Sequence, residues 1–203
     1  KLVPFQTSDY WKVFAINIDY NLNRSRTQGG AAPSNTETRQ LGVNFAHNPA
    51  GYALSFRTEY LPFRDLVTAA NNRDTYRAST GVEIKVKNVK YPISLNPTLK
   101  LGMERSKSLA TNLTDQAASA SGGLSLAYSD IYNFSIRHDF QQRVVKPSGR
   151  KIRNNTSQIE NRVLVKAKIP FELGLSGFHK HFYDTALNAF TEEEIRGTIS
   201  VKF

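Results

Sequence analysis

Apolar and polar residues alternate along most of this chain, and the alternation reads as β-strand almost throughout. Phe14, Ile16, Ile18 and Tyr20 are separated by Ala15, Asn17 and Asp19. Leu41, Val43, Phe45 and His47 repeat the pattern, and Tyr52, Leu54, Phe56, Thr58 and Tyr60 continue it against Ala53, Ser55, Arg57 and Glu59. Spacing of this kind puts one set of side chains on each face of a strand. It recurs over Tyr76 to Val86, Ile93 to Met103, Leu124 to Tyr128, Tyr132 to Phe140, Val163 to Ile169, Phe171 to Gly177 and Ile195 to Phe203. The chain therefore predicts about ten strands, each of roughly nine to thirteen residues. Pro97 sits inside the fifth and has no N–H to give a neighbour, which predicts a bulge or a later strand start there.

The connections predict an architecture of their own. Asn23–Thr36, Pro62–Asp74, Ser106–Ala118, Arg143–Ser157 and Asp184–Phe190 read as long polar loops. Between them lie short turns at Asn48–Gly51, Asn88–Pro92, Ser129–Asp130 and Pro170, so long and short connections are expected to alternate. Asp65 to Ala70 is expected to form one helical turn. No apolar run reaches the roughly 18 residues that a membrane-spanning helix needs.

The last strand, Ile195-Arg-Gly-Thr-Ile-Ser-Val-Lys-Phe203, stops on an aromatic residue. In that ending, the chain resembles bacterial outer-membrane β-barrel proteins. The resemblance implies an all-β fold, an antiparallel up-and-down transmembrane β-barrel of about ten strands with long outer loops and short periplasmic turns. Residues 1–10 would be a periplasmic lead-in and residues 11–203 the barrel. It also implies an outer-membrane location and contact of the C-terminal strand with the barrel-assembly machinery. Aromatic residues fit two girdles flanking an aliphatic band. Trp11, Tyr52, Tyr128, Tyr132, Phe171 and Phe203 belong to the short-turn side, with Tyr20, Tyr60, Phe63, Tyr76, Phe140, Phe182, Tyr183 and Phe190 on the other.

Composition adds limits. The 203 residues suit one domain and include no cysteine, which excludes disulfides and thiolate metal sites. A mean hydropathy of −0.44 is compatible with a membrane barrel, because only every second residue of its strands meets lipid. The net charge of +10 calls for an anionic partner.

Two charged sets follow from the strand phase. Asp19, Arg57, Glu59, Glu83, Lys85, Lys100, Glu104, Arg137, Asp139, Arg162, Lys166, Glu172 and Arg196 would face the lumen. Mixed acids and bases in a narrow barrel are expected to pair and seal it; the alternative is a narrow channel for small solutes or ions. Arg24, Arg26, Arg64, Arg73, Arg143, Arg150, Lys151 and Arg153 fall in or beside the long loops, joined by Arg39, Arg105, Lys107 and Lys146. They suit lipid phosphates and lipopolysaccharide, since Arg binds phosphate bidentately. The loops lack the interleaved aromatics of a nucleic-acid surface, so none is expected.

Catalysis is tested by His179, His181 and Asp184 and by His138-Asp139. His179 and His181 share the apolar face, while His138 and Asp139 point oppositely. A serine or acidic partner beside His181 would favour an outer-rim hydrolase or acyltransferase. The expectation is a non-enzymatic barrel without cofactor or metal, serving as membrane anchor, scaffold or subunit of an envelope assembly. Membrane lipid, lipopolysaccharide and other envelope proteins are its expected partners. A soluble ligand-binding barrel would instead turn its apolar faces inward.

Overall fold

One antiparallel sheet makes up the chain in a computed structural model that describes residues 14–27, 34–87, 92–111, 113–166, 171–187 and 189–201. Its strands are β1 (Phe14–Thr27), β2 (Ser34–His47), β3 (Tyr52–Asp65), β4 (Arg73–Ile84), the two-residue β5 (Val86–Lys87), β6 (Ile93–Ser108), β7 (Thr114–Tyr128), β8 (Tyr132–Lys146), β9 (Arg150–Val165), β10 (Phe171–Asp184) and β11 (Phe190–Val201). Each long strand pairs with the next in sequence, giving the order β1-β2-β3-β4-β6-β7-β8-β9-β10-β11. Ten long up-and-down strands are therefore present, as the alternation predicts. The two ends of the path, β1 and β11, each pair on one side only, and β11 is exposed along its length. Among the described residues no helix is long and apolar enough to cross a membrane.

The short β5 is the product of Pro97. Partners on both sides of the gap keep one register, Glu83↔Thr98 and Val86↔Leu95, so Ile84 stands opposite Pro97. The Lys85 N–H turns the other way and donates to the Gly51 carbonyl at 2.8 Å. Ile84 thus faces β6, where the proline nitrogen has nothing to donate, and the ladder breaks for two residues. No bulge or late start was needed: β6 runs straight through Pro97 and its neighbour is interrupted instead.

Two further expectations are corrected. The strands extend well into the segments read as long loops, and Arg143–Ser157 holds only the turn between Lys146 and Arg150. Connection lengths do not alternate; polar strand extensions gather at one end of the sheet instead. We call that end upper and the end with the Asn48–Gly51 and Ser129–Ile131 turns lower. The Asp65–Ala70 turn is a 3-10 turn at Ala69–Asn71, held by Asp65, whose carboxylate accepts from Val67, Thr68 and Asn71. Those bonds, Asn71 first, hold its pKa below the usual carboxylate value.

Register sorts the side chains by face. Ile18, Val43, Thr58, Ala78 and Met103 form one transverse row, and Asp19, Gly42, Glu59, Arg77 and Glu104 the row behind it. The apolar face is open to its surroundings: Ile18 is 62% exposed, Met103 71% and Ile199 74%. The polar face is the inside of a curl. Glu59 on β3 and Arg143 on β8 line the same 290 Å³ cavity, and Ser94 on β6 and Arg162 on β9 share another of 410 Å³. Side chains that many strands apart meet only if the sheet bends toward them, so the polar face is concave and the apolar face convex. No buried hydrophobic residue occurs among the described residues, so this sheet has no oily core of its own.

Candidate functional site

The concave face is built from arginine–carboxylate pairs between or along strands. Arg57 reaches Glu59 at 2.6 Å and Asp19, two strands away, at 3.8 Å. Gly42 lies between those two acids, and its missing side chain leaves the guanidinium room; a Cβ there would stand 3.7 Å from Glu59 and 3.9 Å from Asp19. Gln40 adds a 2.8 Å bond to Glu59. Further along, Arg77 pairs with Glu104 at 2.6 Å, Arg137 with Asp139 at 2.8 Å and Arg196 with Glu194 at 2.6 Å; Arg143 pairs with Asp115 and Arg162 with Glu160. At the upper end Arg150 clamps Asp184, which is only 2% exposed, at 2.6 Å. That guanidinium, helped by the Ala186 N–H, holds the Asp184 carboxyl below its ordinary pKa.

Of the thirteen charges expected on this face, twelve lie on it by register. Glu83, Lys100 and Glu172 share the face, and Lys85 hydrogen-bonds Asn48 Oδ1 at 2.9 Å. The exception is Lys166, just past the end of β9, which binds Asp130 in the lower turn at 2.9 Å and keeps that carboxyl's pKa low. Sequence reading missed Arg77, Asp115, Glu160, Glu194 and Gln40; strand phase places all of them here, but their partners follow only from register.

The cations assigned to the loops divide between the faces. Arg73, Arg143 and Arg150 belong to the concave side, Arg73 lying over the Phe63 ring at 5.4 Å and the other two in the pairs just described. This corrects their grouping with an outer basic surface, and the cause is strand extension: residues read as loop obey strand alternation. Arg24, Arg26, Arg64, Lys151 and Arg153 lie on the convex side with Arg39, Arg105, Lys107 and Lys146. Arg24 and Arg39 both bind Glu37, and Arg64 binds Asp74 at 2.6 Å. Arg105, Lys107, Lys146, Lys151 and Arg153 make no ion pair among the described residues. The surplus positive charge is thus concentrated in an arc along the upper convex rim.

Aromatics divide too. Tyr20, Tyr60, Tyr76, Phe140 and Tyr183 form the upper convex row, with Tyr60 and Tyr76 stacked at 4.8 Å. Phe63, Phe182 and Phe190 prove to be concave, the last two stacked at 5.0 Å. Tyr52, Tyr128, Tyr132 and Phe171 mark the lower convex row, whereas Trp11, Phe203 and the 1–10 lead-in lie outside the described residues.

From β1 to β7 the convex positions between these rows are aliphatic, aromatic, Pro, Gly or Thr, apart from His47 near the lower end, which is buried against Phe14 and Tyr52. From β8 to β11 they are not. His138, Ser157, His179 and Glu193 stand in one cross-strand row, with His138 Nδ1 2.9 Å from Ser157 Oγ and His179 Nδ1 2.7 Å from Glu193 Oε1. Asn155, His181 and Thr191 form the next row, His181 Nδ1 lying 3.2 Å from Thr191 Oγ1. His181 therefore has a threonine beside it, while the serine and the acid serve the other two histidines as separate pairs. The ladders also occupy the strand N–H groups that would stabilise an oxyanion. Compared with known proteins, the chain matches no family model and no curated protein.

Proposed function

We propose that this chain is an outer-membrane β-barrel whose β1 and β11 edges meet, a non-enzymatic anchor, scaffold or subunit of an envelope assembly with a sealed lumen. The observation that carries it is the direction of the curl. A soluble barrel buries apolar side chains inside, whereas here the ion-paired face is concave and the apolar face convex and bare. Water leaves no reason to expose that much Ile, Leu and Phe, and a hydrocarbon surround supplies one. The even strand number sets β1 antiparallel to β11, as closure requires. The tyrosine rows above and below the aliphatic belt suit two interfaces. Pairing of Arg with Asp or Glu across the concave face argues for a filled lumen over an open one.

The test is reconstitution of detergent-purified protein into planar bilayers. Insertion without conductance is expected. Stable, salt-dependent current steps would replace the sealed lumen with a narrow channel, and full solubility without detergent would refute the membrane reading altogether.

A further inference from the structure

The upper convex quadrant of β8 to β11 holds a cavity of 1140 Å³. Lys151, Arg153, Asn155, His181 and Tyr183 line it from the convex face, the turns at Ser148–Gly149 and Thr185–Ala186 border it, and Val145 and Arg150, concave by register, complete its upper wall. No acidic residue borders it, and Lys151 and Arg153 carry no ion pair among the described residues. Its volume exceeds the roughly 300–1,000 Å³ of ordinary ligand pockets, so a lone phosphate would leave it mostly empty.

The polar rows described above begin directly beneath this cavity. Down β9 the convex residues are Lys151, Arg153, Asn155, Ser157 and then Ile159; down β10 they are Tyr183, His181, His179 and then Gly177 and Leu175. On β9 the order is cation, neutral hydrogen-bonding group, hydrocarbon, and β10 repeats the lower two layers beneath Tyr183, with Glu193 of β11 bonded to His179 at their edge. Elsewhere on the rim the middle layer is missing: on β6, Lys107 and Arg105 give way at once to Met103 and Leu101. Each of the quadrant's histidines uses only its Nδ1 on a neighbour among the described residues, and polar groups facing hydrocarbon are costly, so a layer of Asn, Ser and His gathered beneath the cations in one quadrant marks a bound partner.

Resting on the membrane reading of the convex face, we infer that this quadrant binds one phosphorylated, acylated sugar lipid. Lys151 and Arg153 take its phosphate; Asn155, Ser157, His179 and His181 take sugar hydroxyls and the carbonyls of its acyl linkages; the chains lie on Ile159 and Leu175. The cationic and neutral layers run six residues from Lys151 to Ser157, about 20 Å along the strand. That depth favours a sugar over a glycerophospholipid, whose ester carbonyls start one glycerol away from the phosphate.

The whole chain in detergent would be titrated with a bis-phosphorylated, acylated glucosamine disaccharide and, in parallel, with phosphatidylglycerol, counting bound lipid by native mass spectrometry. One tightly bound glycolipid is expected, displaced only weakly by phosphatidylglycerol. K151Q/R153Q should lower its affinity at least tenfold, K151R/R153K should restore it, and N155L/H181L should erode the preference over phosphatidylglycerol. R105Q/K107Q, in the same charged arc outside the quadrant, should change little. Equal losses from R105Q/K107Q would reduce the effect to diffuse surface charge, and equal binding of both lipids would remove the sugar; either overturns the inference. Flotation of the wild type with neutral phosphatidylcholine vesicles separates the two levels. A chain that floats but binds no glycolipid refutes this site alone, and a chain that stays out of vesicles refutes the membrane reading and this site with it.

Discussion

The proposed closure makes a sharp prediction, because the register of the nine ladders leaves few ways for the two free edges to meet. Following partners across the nine ladders from Phe14 leads through His47, Leu54, Val82, Leu99, Gly122, His138, Ser157 and His179 to Glu193. A closed barrel requires a stagger when the circuit returns to β1. If Glu193 returns opposite Arg24 rather than Phe14, then Ile195 meets Leu22, Gly197 meets Tyr20, Ile199 meets Ile18 and Val201 meets Ile16. The four pairs below Glu193 and Arg24 are then without charge, those two meet with opposite charge, and Thr191 meets Arg26 above them. Shifting two residues one way sets Ile195 against Arg24, and the other way sets Glu193 against Leu22. The favoured stagger is one residue per strand. With a rise of about 3.3 Å and strands about 4.8 Å apart it gives a tilt of about 35°, at the edge of the range for real barrels.

The chain has no cysteine, so this register can be read by cross-linking. Replacing Ile18→Cys together with Ile199→Cys puts two Cα atoms about 4.5–5.5 Å apart across the closing ladder, within disulfide range. A slip of two residues adds about 6.6 Å along the strand and stretches the pair to about 8 Å, too far to bridge. Mild oxidation in detergent should therefore give an intramolecular link for I18C/I199C, seen as a mobility shift on a non-reducing gel and as a cross-linked peptide by mass spectrometry. I16C/I199C and Y20C/I199C should stay reduced. Preferential linking of either control would refute this stagger. Links only between chains would refute closure.

Three other outcomes follow from the same geometry. Replacing Pro97→Val restores the missing donor, should join β4 and β5, and should add about 1 kcal/mol of stability in denaturant titration. For Arg77 and Glu104, opposite one another and each nearly half exposed, a double-mutant cycle with R77L and E104L should give a coupling of about 0.2–1 kcal/mol in thermal unfolding, because solvent screens such pairs. Asp184 is charged more readily in the fold than in the unfolded chain, so its contribution is complete above about pH 4 and fades as pH falls through its lowered folded value. Unfolding temperatures measured down to pH 2 should show that acid-side loss in the wild type and a smaller one in D184N.

Much of this was legible in the chain because strand alternation is strong where one face is apolar. Phe14 to Tyr20 and Tyr52 to Tyr60 revealed their strands and their faces at once. Arg150 to Asn155 did not, since this part of β9 is polar on both sides and differs from a loop only through its pairing. The same blindness sent Arg143 and Arg150 to an outer surface, hid Asp115, and set Asp184 beside the histidines as a catalytic candidate instead of the partner of Arg150. Phe63, Phe182 and Phe190 were misplaced because aromatic character was read by height along the strand without strand phase. Ion-pair partners depend on register between strands, and nothing in a single strand encodes that number.

The curl toward the polar face also decides what kind of object the edges build. If β1 and β11 meet as proposed, β1 of one copy would fit β11 of another as well as its own. Head-to-tail complementarity of that kind gives a ring when the rotation closes and an open filament when it does not. Arg24 on β1 and Glu192, Glu193 and Glu194 on β11 discourage like edges from meeting, but they cannot tell self from neighbour. Curvature could, because a sheet bent far enough to close would hold the two edges of one chain at an effective concentration that dilute neighbours do not match. The small residues on the concave side, Gly42, Gly81, Gly102 and Ser119 among them, leave room for that bend. Bulky replacements there would favour polymers over barrels without touching either edge.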